Sequence, residues 1–289
     1  MALTMADYRT SEKSWWCPGC GDFGVLAALQ KALVELQIEP EKAAVVSGIG
    51  CSGKIGNYIN SYNLHVTHGR ALAAAQGLKL ANRELTVIAA GGDGDGFAIG
   101  MGHYMHALRR NVDITYIVMD NMIYGLTKGQ TSPTSEPGFK TKSTPAGNVE
   151  KAVNQLQLAI ASGCGFVAAG FSANQKQLVE IIKRAILHPG FALVSTYSPC
   201  VTFNRVNTFD FFKQNLVNLD EDPTYDRHDR FAAMKKLMET EELVTGIIYE
   251  DPASVPYEDR VAGYRKEGIV NQDWTMDPAV WEQLVSQYR

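Results

Sequence analysis

Apolar residues recur at two alternating spacings along most of this sequence, and no other feature restricts its fold as strongly. Short apolar runs, each typical of a buried strand, occupy residues 43–47, 85–90, 114–119, 166–169 and 191–195. Segments with the 3.6-residue period of an amphipathic helix lie around them, at residues 25–36, 69–80, 97–109, 151–161 and 175–187. Strands that alternate with helices predict an α/β fold in which helices cover both faces of a doubly wound parallel sheet.

The sequence changes character after residue 204, which suggests how the chain is divided. Residues 1–204 hold 17 basic and 14 acidic side chains, net +3, whereas residues 205–289 hold 10 basic and 17 acidic side chains, net −7. Beyond this point only one helix is predicted, over residues 229–239, and the remainder has the pattern of coil. We therefore expect an N-terminal segment (1–22), an α/β domain (23–204) and a C-terminal acidic arm (205–289) that packs on its own domain or a partner. A solvated acidic surface is the alternative interpretation of the last part.

Composition excludes several classes of protein. With 45% hydrophobic and 20% charged residues, the chain can bury a substantial core and does not resemble a disordered protein. No cluster of Lys and Arg indicates a nucleic-acid partner, and no apolar run is long enough to span a membrane. The first residues lack the apolar core of a signal peptide. We expect a cytoplasmic protein that binds neither nucleic acid nor membranes.

The most informative segment is LTVIAAGGDGDG, residues 85–96, in which an apolar strand ends in glycines and acids before the next helix. Phosphates bind at such places in α/β folds, because glycines let the backbone approach an anion and the helix N–H groups face it. A carboxylate beside a phosphate is favourable only when a divalent cation lies between them. We therefore predict Asp93 as an oxygen ligand of Mg²⁺, with Asn121, at the end of the next strand, as a second ligand.

Two further features belong near this predicted phosphate site. Residues 124–147 are rich in Gly, Pro, Ser and Thr, which predicts a long, ordered and functional loop. His68 and Gly69 precede another predicted helix. The imidazole and the neighbouring N–H groups either face the phosphate or are satisfied by local backbone. The other five histidines have no metal partners at suitable spacing and are expected to be structural.

Five cysteines, an odd number, do not fit a secreted disulfide scaffold, so reduced thiols that bind a metal or cluster are the better interpretation. Cys17 and Cys20 form a CxxC turn, while Cys51 and Cys200 each follow a predicted strand. Because parallel strands end at one edge of a sheet, these four thiols can meet there. A CxxC turn alone fits zinc, a redox dithiol or an iron–sulfur cluster, and four thiolates fit zinc or a [4Fe–4S] cluster. Cys164 precedes a strand and is expected to be a buried spare.

Gly92-Asp93-Gly94, followed by 26 residues and then Asn121, resembles the thiamine diphosphate motif, which opens with GDG and usually closes with two asparagines. The motif here closes with Asp120-Asn121, so the metal ligand carries over and the role of Asp120 stays open. The resemblance implies that the backbone carbonyl of Ile123 completes the magnesium shell. It also implies cofactor contacts from the GDGD and loop residues and the helix start: His68, Gly69, Gly92, Asp93, Gly94, Asp95, Asn121, Ile123, Gly125, Leu126 and Thr127.

Five motifs in order, WCPGCG, GIGCSGK, THGRA, GDGD and YGLTKGQTSPT, resemble the β subunit of 2-oxoacid:ferredoxin oxidoreductases over residues 15–205. The resemblance implies the fold of the diphosphate-binding domain and a [4Fe–4S] cluster held by Cys17, Cys20, Cys51 and Cys200. It further implies that Lys54 meets the substrate carboxylate and that Leu126 lines the substrate pocket. Coenzyme A would be the co-substrate, ferredoxin the electron acceptor, and an α subunit an obligate partner in an αβ or (αβ)₂ assembly.

The resemblance favours 2-oxoglutarate as the substrate, through the YGLTKGQTSPT form and a cation, Lys54, that a distal carboxylate would need. The implied reaction is oxidative decarboxylation to acyl-CoA and CO₂, which some cells would run in reverse to fix CO₂. The alternatives are a pyruvate-specific member of the same family, a non-oxidative thiamine diphosphate decarboxylase or synthase subunit, and a cluster-bearing electron-transfer subunit without its own thiamine site. Intact Asp93 and Asn121 argue against the last, and the four placed cysteines against the second.

Overall fold

The computed structural model describes residues 2–264, 267–273 and 275–289. Eight strands occur within these residues: β1 (Ala43–Ser47), β2 (Tyr62–His65), β3 (Thr86–Gly92), β4 (Thr115–Asp120), β5 (Phe166–Phe171), β6 (Ala192–Tyr197), β7 (Val217–Asn218) and β8 (Val244–Glu250). They form one sheet in the order β2-β1-β3-β4-β6-β5-β8-β7. Neighbouring strands are parallel except β5 and β8, which pair antiparallel.

Helices cover both faces of the sheet, so the predicted doubly wound α/β architecture is confirmed. The helices in the described part of the chain are α1 (Asp22–Glu35), α2 (Ala71–Ala81), α3 (Met101–Arg110), α4 (Gln155–Ala161), α5 (Gln175–Leu187), α6 (Phe209–Asn215), α7 (Arg230–Glu239), α8 (Tyr257–Arg260) and α9 (Pro278–Ser286). Helices α1 and α5 pack on one face against a core that includes Val45 and Ile88. Helices α2, α3, α4 and α7 pack on the other face, against a core that includes Val46 and Val87. Since successive strand residues face opposite sides, continuous apolar strands serve both cores.

Several boundaries differ from the sequence expectation. Helix α4 begins at Gln155 rather than near residue 151, and a π-helical turn, Asp95–Ile99, precedes α3. Strand β2 is absent from the sequence prediction, because all four of its residues are exposed and their sequence, YNLH, has no apolar pattern. Residues 124–147 form the expected long loop, and Asn148 anchors it by donating to the carbonyl of Ser135. None of the described helices has the length and apolar character needed to cross a membrane.

The expectation that the tail after residue 204 is coil outside residues 229–239 is wrong. Strand β8 lies beside β5 and is buried along nearly its whole length, and α6 and β7 add further regular structure. The segment VTGIIYE carries a strand-type apolar run that the acidic composition of its surroundings obscures. Part of the acidic tail therefore packs on its own domain, where β8 extends the sheet.

The sheet order brings four chain segments to one edge. Strands β1, β3, β4 and β6 are consecutive neighbours, and all four run parallel. Cys51, Asp93, Asn121 and Cys200 each follow the last residue of one of these strands, by one to four residues. The order also reverses between β1 and β3, and α/β proteins bind ligands at such reversals. The fold thus places the predicted metal and thiol residues on one rim.

Candidate functional site

A cavity of about 580 Å³ lies at this rim. The segments that follow β1, β3 and β4 form its walls, and the loop after β4 covers it. Of the residues that sequence reasoning assigns to the site, the following line it: Cys51, His68, Gly92, Asp93, Gly94, Asp95, Asn121, Ile123, Gly125, Leu126 and Thr127. One cavity therefore collects most of the predicted diphosphate, metal and pocket residues.

Two of the residues predicted to contact the diphosphate or the substrate are absent from the cavity wall. Gly69 is absent from the cavity wall, and its N–H donates to Asp95 at 2.9 Å, so it is not free for a ligand. Lys54 lies half-buried in the 3₁₀ turn Ser52–Tyr58 and does not line the cavity. Leu126, by contrast, lies on the wall with about half of its surface exposed.

The predicted magnesium ligands occupy the deep end of the cavity. Asp93 is 2% exposed and Asn121 8%, and the N–H of Ile123 donates to Asn121 Oδ1 at 3.2 Å. A carboxylate, an amide and a backbone carbonyl are hard oxygen donors, which is the set that Mg²⁺ prefers. In the described part of the chain no three His, Cys, Asp or Glu side chains form a group that could hold a metal ion, and this set contains only one such side chain. The donor chemistry fits magnesium.

Asp120, the residue that departs from the usual motif, is linked to Asp93 by a shared hydroxyl. The Oγ1 atom of Thr134 lies 2.8 Å from Asp93 Oδ2 and 3.0 Å from Asp120 Oδ1. Gln155 Nε2 also donates to Asp120, at 2.9 Å. Burial raises the pKa of both carboxyl groups, and the negative charge of Asp93 raises the pKa of Asp120 further. A divalent cation would offset this accumulation of negative charge.

The glycines of the GDG turn are required by close packing. A Cβ atom on Gly94 would lie 2.1 Å from the ring of Tyr124, whose hydroxyl donates to the Gly94 carbonyl at 3.1 Å. A Cβ atom on Gly92 would lie 2.8 Å from Ser52 Oγ. The turn after β3 therefore fits directly beneath the loop that follows β4, and a larger residue would force the two apart.

The N-terminal CxxC segment contacts the loops that carry the other two cysteines. Gly21 donates to the Pro199 carbonyl at 3.2 Å, next to Cys200, and the indole of Trp16 donates to the Cys51 carbonyl at 2.6 Å. Burial raises the pKa of the Cys51 thiol to about 11, and the nearby Cys200 and Cys17 add to this effect. Burial, together with Asp22, Cys200 and Cys51, raises the pKa of Cys20 as well. The CxxC segment thus lies beside the loops that carry Cys51 and Cys200.

Gly125 places two of these thiols at the cavity. A Cβ atom on this residue would lie 3.6 Å from the sulfur of Cys200 and 3.7 Å from that of Cys51. Gly125 also lines the cavity. Thiolates are the usual ligands of iron–sulfur clusters, and these four come from three neighbouring segments, so the donor chemistry fits such a group. Within the described residues the four side chains do not form a preassembled metal-binding group. Cys164 is fully buried and donates to the Phe166 carbonyl, as expected for a spare thiol.

Comparison with known proteins shows the family of this chain. Residues 48–196 match the family model of the thiamine pyrophosphate enzyme C-terminal TPP-binding domain. Residues 200–266 match the family model of the C-terminal part of the pyruvate ferredoxin oxidoreductase β subunit. The chain is 47% identical over 268 residues to subunit beta of 2-oxoacid:ferredoxin oxidoreductase 1 from Aeropyrum pernix, an alignment that covers 89% of this chain and 84% of the relative. The chain belongs to the β subunits of 2-oxoacid:ferredoxin oxidoreductases.

Some relatives of this β subunit are named for one particular substrate, 2-oxoglutarate. The chain is 45% identical to the 2-oxoglutarate synthase subunit KorB of Archaeoglobus fulgidus, over 76% of this chain and 86% of the relative. A solved 2-oxoglutarate:ferredoxin oxidoreductase from Magnetococcus marinus, with 2-oxoglutarate, coenzyme A and succinyl-CoA bound, superposes with a TM-score of 0.90. Its sequence is 39% identical, and the match covers 99% of this chain and 96% of that chain.

The sequence does not predict Thr134 and Asp22, two residues whose hydrogen bonds hold parts of the β subunit's site in place. Thr134 lies 41 residues from Asp93 in the sequence, inside a Ser- and Thr-rich loop where no local pattern singles it out. Asp22 is fully buried, accepts from Ser198 at 2.5 Å, and has its pKa raised to about 6 by burial. Its position directly after the CxxCG motif is the only available signal.

Proposed function

We propose that this chain is the β subunit of a 2-oxoglutarate:ferredoxin oxidoreductase. The reaction converts 2-oxoglutarate and coenzyme A into succinyl-CoA and CO₂, with the release of one proton and two electrons that pass singly to ferredoxin. One observation carries the proposal: Cys51 and Cys200 flank Gly125, in the loop that covers the cavity lined by Asp93 and Asn121. A redox group at these thiols would lie beside the carbon chemistry, an arrangement that a non-oxidative decarboxylase does not need.

The residues of the deep end would hold the cofactor. Asp93, Asn121 and the carbonyl of Ile123 would bind Mg²⁺, and His68, Gly92 and the loop residues 125–127 would contact the diphosphate. When bound, thiamine diphosphate supplies the electron sink for decarboxylation that no side chain provides. The chain's own part is to bind and orient: Thr134 fixes the Asp93 carboxylate, and Tyr124 closes over the GDG turn.

The four thiols of Cys17, Cys20, Cys51 and Cys200 would hold a [4Fe–4S] cluster, which accepts electrons one at a time. Support comes from the contacts of the CxxC segment with both cysteine loops. Burial raises the pKa of Cys51 and Cys20, so the thiolates required for ligation are favoured only when a cation compensates their charge. These two cysteines are therefore expected to stay protonated in a chain that lacks the cluster.

Substrate choice rests on the relatives rather than on a specific contact. Several are named for 2-oxoglutarate, whereas the Aeropyrum and Saccharolobus relatives are named for 2-oxoacids in general. Pyruvate is the second candidate, since the C-terminal family model is that of pyruvate enzymes. Lys54 would reach a substrate carboxylate only if the turn Ser52–Tyr58 moves or a partner completes the pocket, because it does not line the cavity.

Anaerobic co-expression with its α subunit tests the proposal. The purified complex is assayed for coenzyme A-dependent reduction of methyl viologen with 2-oxoglutarate, pyruvate and other 2-oxoacids. We expect iron near four atoms per chain, bound thiamine diphosphate, and the highest kcat/KM with 2-oxoglutarate. Pyruvate as the best substrate would select the second candidate, and zinc in place of iron would reject the redox role.

Matched cysteine variants show whether the electrons depend on the four thiols. Cys51→Ser should lose iron and viologen reduction, while Cys164→Ala, at the buried thiol away from the cavity, should keep both. Equal losses in the two variants would mean that general destabilisation, not ligation, explains the effect.

A further inference from the structure

Asp95, the second acid of the GDGD segment, lies between two loops that border the cavity. Its carboxylate is buried, and Oδ1 accepts from the N–H of Ile49 and from the N–H of Gly69, both at 2.9 Å. The same oxygen lies 3.1 Å from Nδ1 of His68. One oxygen atom therefore contacts the loop after β1 and the turn before α2 at three points.

The surrounding backbone leaves space for this carboxylate. A Cβ atom on Gly48 would lie 2.0 Å from Asp95 Oδ2, and one on Gly91 would lie 2.9 Å from the same atom. Both glycines follow or end strands at the rim. The strand ends are thus shaped around the Asp95 side chain, which argues for a fixed position rather than a mobile surface group.

The contacts of His68 determine which of its nitrogens is available. Nδ1 lies near two acceptors, Asp95 Oδ1 at 3.1 Å and the Ile49 carbonyl at 3.4 Å, so this nitrogen carries a hydrogen. Nε2 has no hydrogen-bond partner within the described part of the chain, and the imidazole lines the cavity. In the imidazolium form Nε2 also carries a hydrogen and can donate to an anion.

We infer that Asp95 is a positioning residue and not a ligand of the metal or of the diphosphate. It holds the His68 imidazole by Nδ1 so that Nε2 is presented to the anionic end of the cofactor. Through Ile49 it also fixes the loop that carries Cys51 two residues later. Asp95 and Asp93 thus have separate tasks, one at the loops and one at the metal. This inference rests on the proposed function.

A double-mutant cycle tests the first task in the assembled complex. The Kd of thiamine diphosphate is measured by calorimetry with Mg²⁺ for Asp95→Ala, His68→Ala and the double variant. Loss of a hydrogen bond to a charged group lowers affinity about tenfold, so each single variant should lose about this factor. Because the effect of His68 on the cofactor depends on Asp95, the double variant should lose no more than Asp95→Ala alone. Multiplicative losses would overturn the inference.

The electron paramagnetic resonance spectrum of the reduced cluster tests the second task. Asp95→Ala should alter the spectrum, since the loop of Cys51 loses its anchor, whereas His68→Ala should leave it unchanged. An unaltered spectrum in Asp95→Ala would refute the role at the loop. Asp95→Asn keeps an oxygen that accepts from Ile49 and Gly69, so it should retain the normal spectrum and serves where Asp95→Ala does not fold. The carboxylate of Asp113 pairs with Lys79 near the opposite end of β4. Asp113→Asn is therefore the control and should leave the spectrum unchanged.

The experiments distinguish failure of the positioning role of Asp95 from failure of the proposed function. An unsubstituted complex that binds no thiamine diphosphate would refute the function itself. A complex that binds the cofactor and reduces viologen, but shows independent effects at Asp95 and His68, would refute the positioning role alone.

Discussion

Glu242 is a buried carboxylate that joins the C-terminal part of the chain to the first turn of α4. It accepts from the backbone N–H of Gln157 at 2.9 Å and of Leu156 at 3.4 Å, at the end of the helix where a negative charge is favourable. Burial nevertheless dominates and raises the pKa of Glu242 from 4.5 to about 7. The folded protein therefore binds a proton here at pH values where the unfolded chain has already released it.

This difference predicts a pH-dependent effect of Glu242→Gln on stability. A raised pKa contributes stability that is complete below pH 4.5 and is lost as pH rises through about 7. The glutamine variant has no such loss, so its free energy of unfolding should improve relative to the unsubstituted chain between pH 4.5 and about pH 8, by up to about 3 kcal/mol. Urea denaturation at both pH values measures the difference.

The exposed Glu239 of α7, which pairs with Lys235 at 3.7 Å, provides the control. Glu239→Gln should differ from the unsubstituted chain by a few tenths of a kcal/mol, with little change between the two pH values. A constant difference for Glu242→Gln across the pH range would show that the carboxyl group titrates normally in the folded chain.

For single residues, the sequence predicts candidate metal and cluster ligands better than it predicts the residues that hold those ligands in place. Asp93, Asn121 and the cysteines follow strand ends in recognisable spacing, and the sheet order then brings them together. Lys54 is assigned to the substrate by its motif, yet the 3₁₀ turn holds it off the cavity wall. Asp95 is predicted as a cofactor contact because no spacing rule shows that its oxygen is occupied by backbone N–H groups from two distant loops.

Among the helices, α1 lies directly against the connection between β5 and α5 at a glycine. A Cβ atom on Gly24 would lie 2.2 Å from the carbonyl oxygen of Ser172, in the connection between β5 and α5. The side chain of Gln175 donates to the carbonyls of both residues, at 2.9 and 2.7 Å. Since the neighbour is backbone, it cannot move aside as a flexible side chain would.

Gly24→Ala should therefore destabilise the fold by about 1–3 kcal/mol, the usual cost of overpacking. Gly77→Ala in α2 is the matched substitution, because nothing lies within 4 Å of its added Cβ atom. Alanine there should stabilise the helix by about 0.5–1 kcal/mol. Urea denaturation of the three proteins measures both shifts, and equal effects at the two sites would contradict the close approach of α1 to Ser172.

Strands are predicted correctly where the sequence has a strong apolar run. They are missed where pairing with a neighbouring strand determines the conformation. Strands β1, β3, β4, β5 and β6 each have such a run and are predicted from it. Strand β8 also has one but lies in an acidic segment, and its antiparallel pairing with β5 includes a register shift between Val167 and Ala168. Strand β2 has four exposed residues and is defined by its pairing with β1 alone. Such strands depend on long-range neighbours, which local sequence does not specify.

Considered as a whole, the molecule presents its cavity on an open rim with apolar surroundings. Leu126 and Ile49 line the cavity and remain substantially exposed, and Trp15 and Phe203 lie exposed in segments next to the cysteines. Apolar side chains at the mouth of a site are typical of a surface that a partner covers. In the described part of the chain no glutamate lines the cavity.

The isolated chain should therefore be inactive even when it carries iron and is supplied with Mg²⁺ and thiamine diphosphate. Coenzyme A-dependent viologen reduction with 2-oxoglutarate should appear only on addition of the α subunit. The rate should stop rising at one α subunit per chain, because we expect one partner to cover the mouth of each cavity. Titration of the purified α subunit into a fixed amount of this chain, under anaerobic conditions, measures both. Turnover by the isolated chain would mean that the site is complete without a partner, and a plateau below equimolar α subunit would mean that only some of the cavities take part.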